Sequence, residues 1–320
     1  MKSYNCFYSA LYYMLDKTYP GMVDFLLNNR WQFFYKKTEW YSDDFRFIGE
    51  HPLPFDKMHL SLLKKIMGID IAISNSQSEH FNFLMDKFFS NEKIMFINKF
   101  DVINDNLPLK KRNCVSTVVV KNINCQEFVL KTFDEDMPSN INIKHNKLYK
   151  MWQNASEHTQ LNSCEVKINF SNSLNLFDAR RFAKTCLIKS IREYIDGDLN
   201  SGYCFGNFGL RQFAKDIVNW NPESYGRFID CSLYLNAVVK QRIVVSAVLQ
   251  SILGDIFPRI ISNINENIDE WNKLKMNLYI VGMRRQTGNI SQLAEIINKL
   301  AKQELALIND INEVLDGEFN

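Results

Sequence analysis

Tyr4-Asn5-Cys6-Phe7-Tyr8-Ser9-Ala10-Leu11-Tyr12-Tyr13-Met14-Leu15 is the stretch on which the fold turns. Phe7, Leu11 and Leu15 recur at helical spacing, and Cys6, Ala10 and Tyr13 form an adjoining stripe. The spacing predicts a helix from about Asn5 to Thr18. Asn5 is a good N-cap, because its side-chain oxygen can accept the first orphan N–H groups. Cys6 then stands in the first turn, where free N–H groups and the positive end of the helix dipole favour a thiolate. Most buried cysteines are small hydrophobes with no chemistry. It is the place of Cys6, more than its type, that makes it a candidate nucleophile.

Working outward, Asp56 caps a helix with Met58, Leu62, Leu63 and Ile66 on its apolar face, ended by Gly68. Ile69 to Ile73 then alternates like a strand. A helix over Glu79–Phe89 and a strand over Ile94–Ile97 follow. Ser116 to Phe133 reads as a hairpin: a strand at Thr117–Val120, a turn at Asn122–Asn124, and a strand at Glu127–Leu130. Asp136-Met137-Pro138-Ser139 opens a polar, Asn-rich connector, which sets the expected boundary between domains 1–137 and 138–320. Beyond it come a helix near 147–157, a strand at 164–170, and helices over 176–195, 207–219, 223–251, 254–272 and 288–316. The first half is helix and then strands, and the second is mostly helical, which is an α+β order.

The totals agree with that division. A chain of 320 residues can build two cores, and only 12 Gly and 7 Pro against 24 Phe suit a large helical part. A net charge of +2 gives no reason to expect nucleic acid or an anionic membrane as partner. Seven cysteines, odd in number and without paired spacing, fit free thiols in a reducing cytoplasm. Residues 3–15 lack a small-residue cleavage site and run into Asp16-Lys17, so no signal peptide is expected. No run approaches 18 apolar residues, so no membrane span is expected either.

The Asn5-Cys6 helix and the Ser116–Asp134 hairpin resemble the N-terminal domain of the butirosin-biosynthesis acyltransferase family. Asn98-Lys99-Phe100-Asp101 through Leu107-Pro108-Leu109 is similar to that family's loop before its histidine. Gly209-Leu210-Arg211-Gln212-Phe213 and Glu270-Trp271 are similar to its helical C-terminal domain. The resemblance implies a papain-like, cysteine-protease-type first domain and a helical second one. It further implies transfer of an acyl or aminoacyl group from an acyl or peptidyl carrier protein to a small-molecule amine acceptor. The only cofactor implied is the phosphopantetheine of the partner carrier. Cys6 falls on the nucleophile, Asp134 on the acid that orients the imidazole, and the histidine position on Ser116 or a neighbour.

This sequence has no histidine between His80 and His145, and loss of a triad member costs about a thousandfold or more in rate. His51, His59 and His145 are the remote replacements to consider. Leaving-group chemistry offers another route. An amide must have its amine protonated to depart, whereas a thioester expels a thiolate unaided. A thiol of ordinary pKa, about 8.5, is only about 3% thiolate at neutral pH, and a helix N-terminus that lowers it by one unit raises this to roughly a quarter. The sequence therefore favours thioester exchange through Cys6 over proteolysis. A papain-like binding or scaffolding subunit without catalysis is the alternative, and a cysteine hydrolase the third reading.

Other candidates are secondary. Trp40 and Tyr41 could line a substrate groove. Gly206, in the Gly202–Gly209 loop, could contact substrate, although the loop lacks the G-x-G-x-x-G spacing and a plain turn explains it as well. Asp134-Glu135-Asp136 reads as a solvated loop end and not as a metal site. Lys110-Lys111-Arg112 is the basic patch nearest the candidate site for an acidic carrier protein.

Overall fold

A computed structural model describes residues 6–27, 29–36, 48–49, 57–74, 92–98, 115–124, 126–133, 138–159, 163–168, 175–197, 199–200, 203–220, 225–254, 258–285 and 290–317. In chain order the elements begin with α1 (Cys6–Asp16), α2 (Val23–Leu27), β1 (Phe34–Lys36), β2 (Ile48–Gly49), α3 (Lys57–Met67), β3 (Ile69–Ser74) and β4 (Lys93–Asn98). Then come β5 (Val115–Asn124), β6 (Glu127–Thr132), β7 (Asn140–Lys144), α4 (His145–Thr159) and β8 (Ser163–Ile168). The chain closes with α5 (Leu176–Asp196), β9 (Leu199–Asn200), β10 (Tyr203–Phe205), α6 (Gly206–Ile217), α7 (Tyr225–Leu253), α8 (Pro258–Arg284) and α9 (Ile290–Gly317). The fold is α+β.

Two compact units form, and each is interrupted in sequence. One comprises Ser3–Gly21 and Lys57–Leu174, the other Met22–Asp56 and Asn175–Asn320. Neither unit begins or ends at the 137/138 boundary expected from composition. The Asn-rich connector is in part an edge strand: Asn140-Ile141-Asn142-Ile143-Lys144 alternates with period two and pairs with β6, with Ile143 buried. The aromatic segment after α2 belongs instead to the second unit, where Trp31, Phe33 and Tyr35 lie in its core.

In the first unit six antiparallel strands take the order β3-β8-β4-β5-β6-β7. The pairings Ile94↔Val119 and Phe96↔Thr117 place these four side chains on one face of the sheet. There α1 packs, with Phe7 stacked on Phe96 at 6.0 Å between ring centroids. Phe7, Leu11 and Leu15 are all buried, each worth about 2 kcal/mol of apolar burial. On the other face Met95, Ile97, Val118, Val120, Phe128 and Leu130 form one core with Leu148, Met151 and Trp152 of α4. The hairpin turn lies later than expected. Asn122 and Asn124 remain in β5 with a register shift between them, because a bulge takes up the extra residue.

In the second unit a small sheet, β2-β1-β10-β9, shares a core with α5 to α9. Tyr203-Cys204-Phe205, part of the glycine-rich loop, is strand β10 paired with β1. α8 runs to Arg284, twelve residues past its expected end. Among the described residues, α7 is long and apolar enough to cross a membrane by length and composition alone. Of that apolar window 61% is buried within the protein, so its side chains also serve as core.

A fully buried ion pair stands at the centre of this unit. Arg242 Nε donates to Glu304 Oε1 at 2.8 Å, and both side chains have no exposed surface. The indole N–H groups of Trp31 and Trp271 donate to the same oxygen at 3.1 and 3.2 Å, and the Tyr194 hydroxyl donates to Oε2 at 2.5 Å. The Arg242 guanidinium lies 4.2 Å from the centre of the Trp31 ring.

Two tyrosines here are strongly perturbed. Burial first, and then the charge of Glu304, hold the Tyr194 phenol well above the ordinary 10.0, and burial with the Asp216 charge does the same for Tyr35. Above pH 10 the unfolded chain loses these protons while the folded chain keeps them. Their stability contribution is complete below pH 10 and is lost as pH rises, by about 1.4 kcal/mol per pH unit for each tyrosine. Denaturation curves at pH 9 and 11 are expected to differ by about 2–3 kcal/mol from these two groups, and Tyr35→Phe to remove about half of that difference.

Candidate functional site

Cys6 is the first residue of α1 and is partly exposed, whereas Cys186, Cys204 and Cys231 are buried free thiols. Burial, above all, pushes the Cys231 thiol well above its ordinary value. Because Cys6 opens the helix, the first N–H groups of α1 have no carbonyl within the helix to bind. Its Sγ lies 3.6 Å from the Thr117 hydroxyl of β5, 111 residues away in sequence. Among the described residues this hydroxyl is the hydrogen-bond partner of the sulfur. The thiol donates to this hydroxyl, and a threonine hydroxyl is no general base at neutral pH.

Ser116, the expected substitute for the histidine, is not brought to Cys6. It pairs with Ile97, and the pleat turns its side chain to the face covered by α4. Thr117 is the neighbour that faces α1. The alternation of Thr117 and Val119 against Ser116, Val118 and Val120 carried that signal. His145 is likewise on the wrong face, since it opens α4 and its ring lies 6.2 Å from that of Phe128 in the opposite core. His59 is buried on α3, which packs against β3. β3 is three strand positions from β5, or about 14 Å at sheet spacing.

On the face of Cys6, one turn after Ala10, Tyr13 lies 6.1 Å from the Phe133 ring. Lys17 and Lys131 place their ammonium groups 4.2 and 4.3 Å from the centre of the Tyr13 ring. Glu92 accepts from Lys17 and, at 3.5 Å, from the Tyr13 hydroxyl. Burial alone would lower the Lys17 pKa, and the neighbouring carboxylate reverses this and raises it. The helix that carries Cys6 is thus flanked by two cations at its far end.

Gly206, expected as a substrate contact, is buried packing. Its φ is +59°, its N–H donates to the Phe33 carbonyl at 2.9 Å, and a Cβ there would meet the Tyr194 carbonyl oxygen at 2.2 Å. Asn5, Trp40, Tyr41, His51, Lys110–Arg112 and Asp134 lie outside the described residues. No protein-family model matches the chain, and no curated protein matches it.

Proposed function

We propose that this chain is a cytoplasmic acyltransferase-like protein of natural-product biosynthesis, with a papain-like first unit. Cys6 takes an acyl or aminoacyl group from the phosphopantetheine thioester of a carrier protein and passes it to a small amine. The observation that carries this reading is a partly exposed cysteine at a helix start, held against a strand whose facing residue is a hydroxyl and not an imidazole. The Cys6 thiolate adds to the thioester carbonyl, and the phosphopantetheine thiolate leaves. The amine nitrogen then adds to the acyl-cysteine, the Cys6 thiolate leaves, and the ammonium proton passes to solvent. The free N–H groups at the start of α1 stabilise the oxyanion in both steps. Asp134 and Asn5 are proposed to orient the acceptor and cap the helix.

Such a site suits a thioester, because neither leaving group needs a proton from a histidine. It suits a peptide bond poorly. In a transfer assay with a loaded carrier protein and an amine acceptor, Cys6→Ala is expected to lower product formation about a thousandfold or more. Thr117→Val is expected to slow it only several-fold, because the variant keeps the nucleophile and loses one hydrogen bond at its sulfur. Equal rates for wild type and Cys6→Ala would leave the binding-subunit alternative in place of catalysis.

A further inference from the structure

Cys6 and Tyr13 stand on one stripe of α1, and Lys17 continues it just past the last turn. Across from that stripe is strand β6. Lys131 pairs with Val119, so Val129, Lys131 and Phe133 share the sheet face of Thr117 and Val119. All three are partly exposed, whereas Phe128, Leu130 and Thr132, which alternate with them, are buried on the opposite face. An open trough therefore runs beside α1 from the Cys6–Thr117 contact, past Phe133, to the Tyr13 ring. Two ammonium groups converge at its far end, Lys17 and Lys131, at 4.2 and 4.3 Å from the centre of that ring. Glu92 pairs with Lys17, but Lys131 makes no ion pair among the described residues. Its charge rests on a cation–π contact alone, which is weaker than a charge-assisted hydrogen bond to an anion.

We propose that Lys131, assisted by Lys17, binds the phosphate of the phosphopantetheine arm whose thioester is delivered to Cys6. This inference rests on the acyl-transfer reading of Cys6 and adds how the donor is held. Reach decides which anion fits. Tyr13 lies about 10 Å along the helix axis from Cys6. The arm has roughly thirteen bonds from sulfur to phosphorus, which span about 15 Å when extended, so a slightly folded arm places its phosphate at the two ammonium groups. An acid group on a short acyl chain, within about 6 Å of the thioester carbon, falls short of them. Between the two ends Tyr13, Val129 and Phe133 offer apolar surface to the arm's methylene and dimethyl carbons. Lysine suits the task, because its ammonium is a point charge on a flexible stem and meets a phosphate without a fixed fork geometry.

The test is protection of Cys6 in the full chain from alkylation by iodoacetamide, read by mass at the peptide that carries it, with S-methyl phosphopantetheine or S-methyl pantetheine present. Neither probe can acylate the protein, so the readout does not depend on catalysis. The phosphorylated probe is expected to half-protect Cys6 at a concentration at least tenfold below that of the unphosphorylated one. Lys131→Gln should reduce this preference to about threefold or less, and Lys131→Arg should keep it. Lys150→Gln, which removes the same charge from α4 on the opposite face of the sheet, should leave it intact. No protection by either probe, equal protection by both, or an undiminished preference in Lys131→Gln would overturn the inference. The outcome is separable from acyl transfer itself. An acyl adduct on Cys6 from a loaded carrier, together with equal protection, removes the phosphate site and keeps the transfer. Preferential protection without an adduct keeps the phosphate site and leaves a binding subunit.

Discussion

Glu304→Ala is expected to lower the stability of the second unit by about 3–5 kcal/mol. Four donors converge on this carboxylate: Arg242, Trp31, Trp271 and Tyr194. Removing it leaves a guanidinium of zero exposure without its counter-charge and strands three further donors in the core. Breaking one partner of a buried pair is far more damaging than the net worth of the pair, because the desolvation cost of the survivor is no longer offset. Two of the donors are indoles, so denaturant unfolding followed by tryptophan fluorescence reads the affected region directly. A double variant, Glu304→Leu with Arg242→Met, should recover only the part of the loss that comes from the unpaired guanidinium, since Trp31, Trp271 and Tyr194 still lack their acceptor. A cost below about 1 kcal/mol for Glu304→Ala would mean that the convergence of these groups contributes little.

Gly206→Ala should be nearly as severe, at about 3 kcal/mol or more. A left-handed φ costs a side chain about 1–2 kcal/mol, and the added Cβ would lie 2.2 Å from a backbone carbonyl oxygen that has no rotamer by which to retreat. Gly226, the second residue of α7, has nothing within 4 Å of the same added atom. Gly226→Ala should therefore cause no loss, and comparison of the two melting temperatures separates local strain from a general intolerance of substitution. Equal melting temperatures would show that the β10–α6 junction can shift to admit a side chain.

The opening helix was legible because Phe7, Leu11 and Leu15 bury on one face, and period alone marks such a face. β7 was not, because its asparagines mask an alternation that leaves only Ile143 buried, and edge strands tolerate such polar faces. The crossing of residues 22–56 into the second unit has no local signature. It is fixed by distant partners, among them the Trp31 backbone N–H donating to Ser190 Oγ at 2.9 Å and the Gln32 N–H donating to Gln241 at 2.8 Å. The buried Arg242–Glu304 pair was hidden for a similar reason, since each residue sits in a helix whose sequence shows ordinary surface charge types. Cys6 could be read from its place at a helix start. Its partner required the register of β5: one residue along, Ser116 faces the other core, and the strand pattern shows the alternation without saying which face meets α1.

The proposed role of Cys6 is tested most directly by intact-mass measurement at short times after mixing the protein with a loaded carrier protein, before any amine is added. The expected result is a single acyl adduct that maps to Cys6, disappears when amine is supplied, and is absent from Cys6→Ala. An unmodified wild-type mass, or an adduct that persists in Cys6→Ala, would contradict acyl transfer through this cysteine.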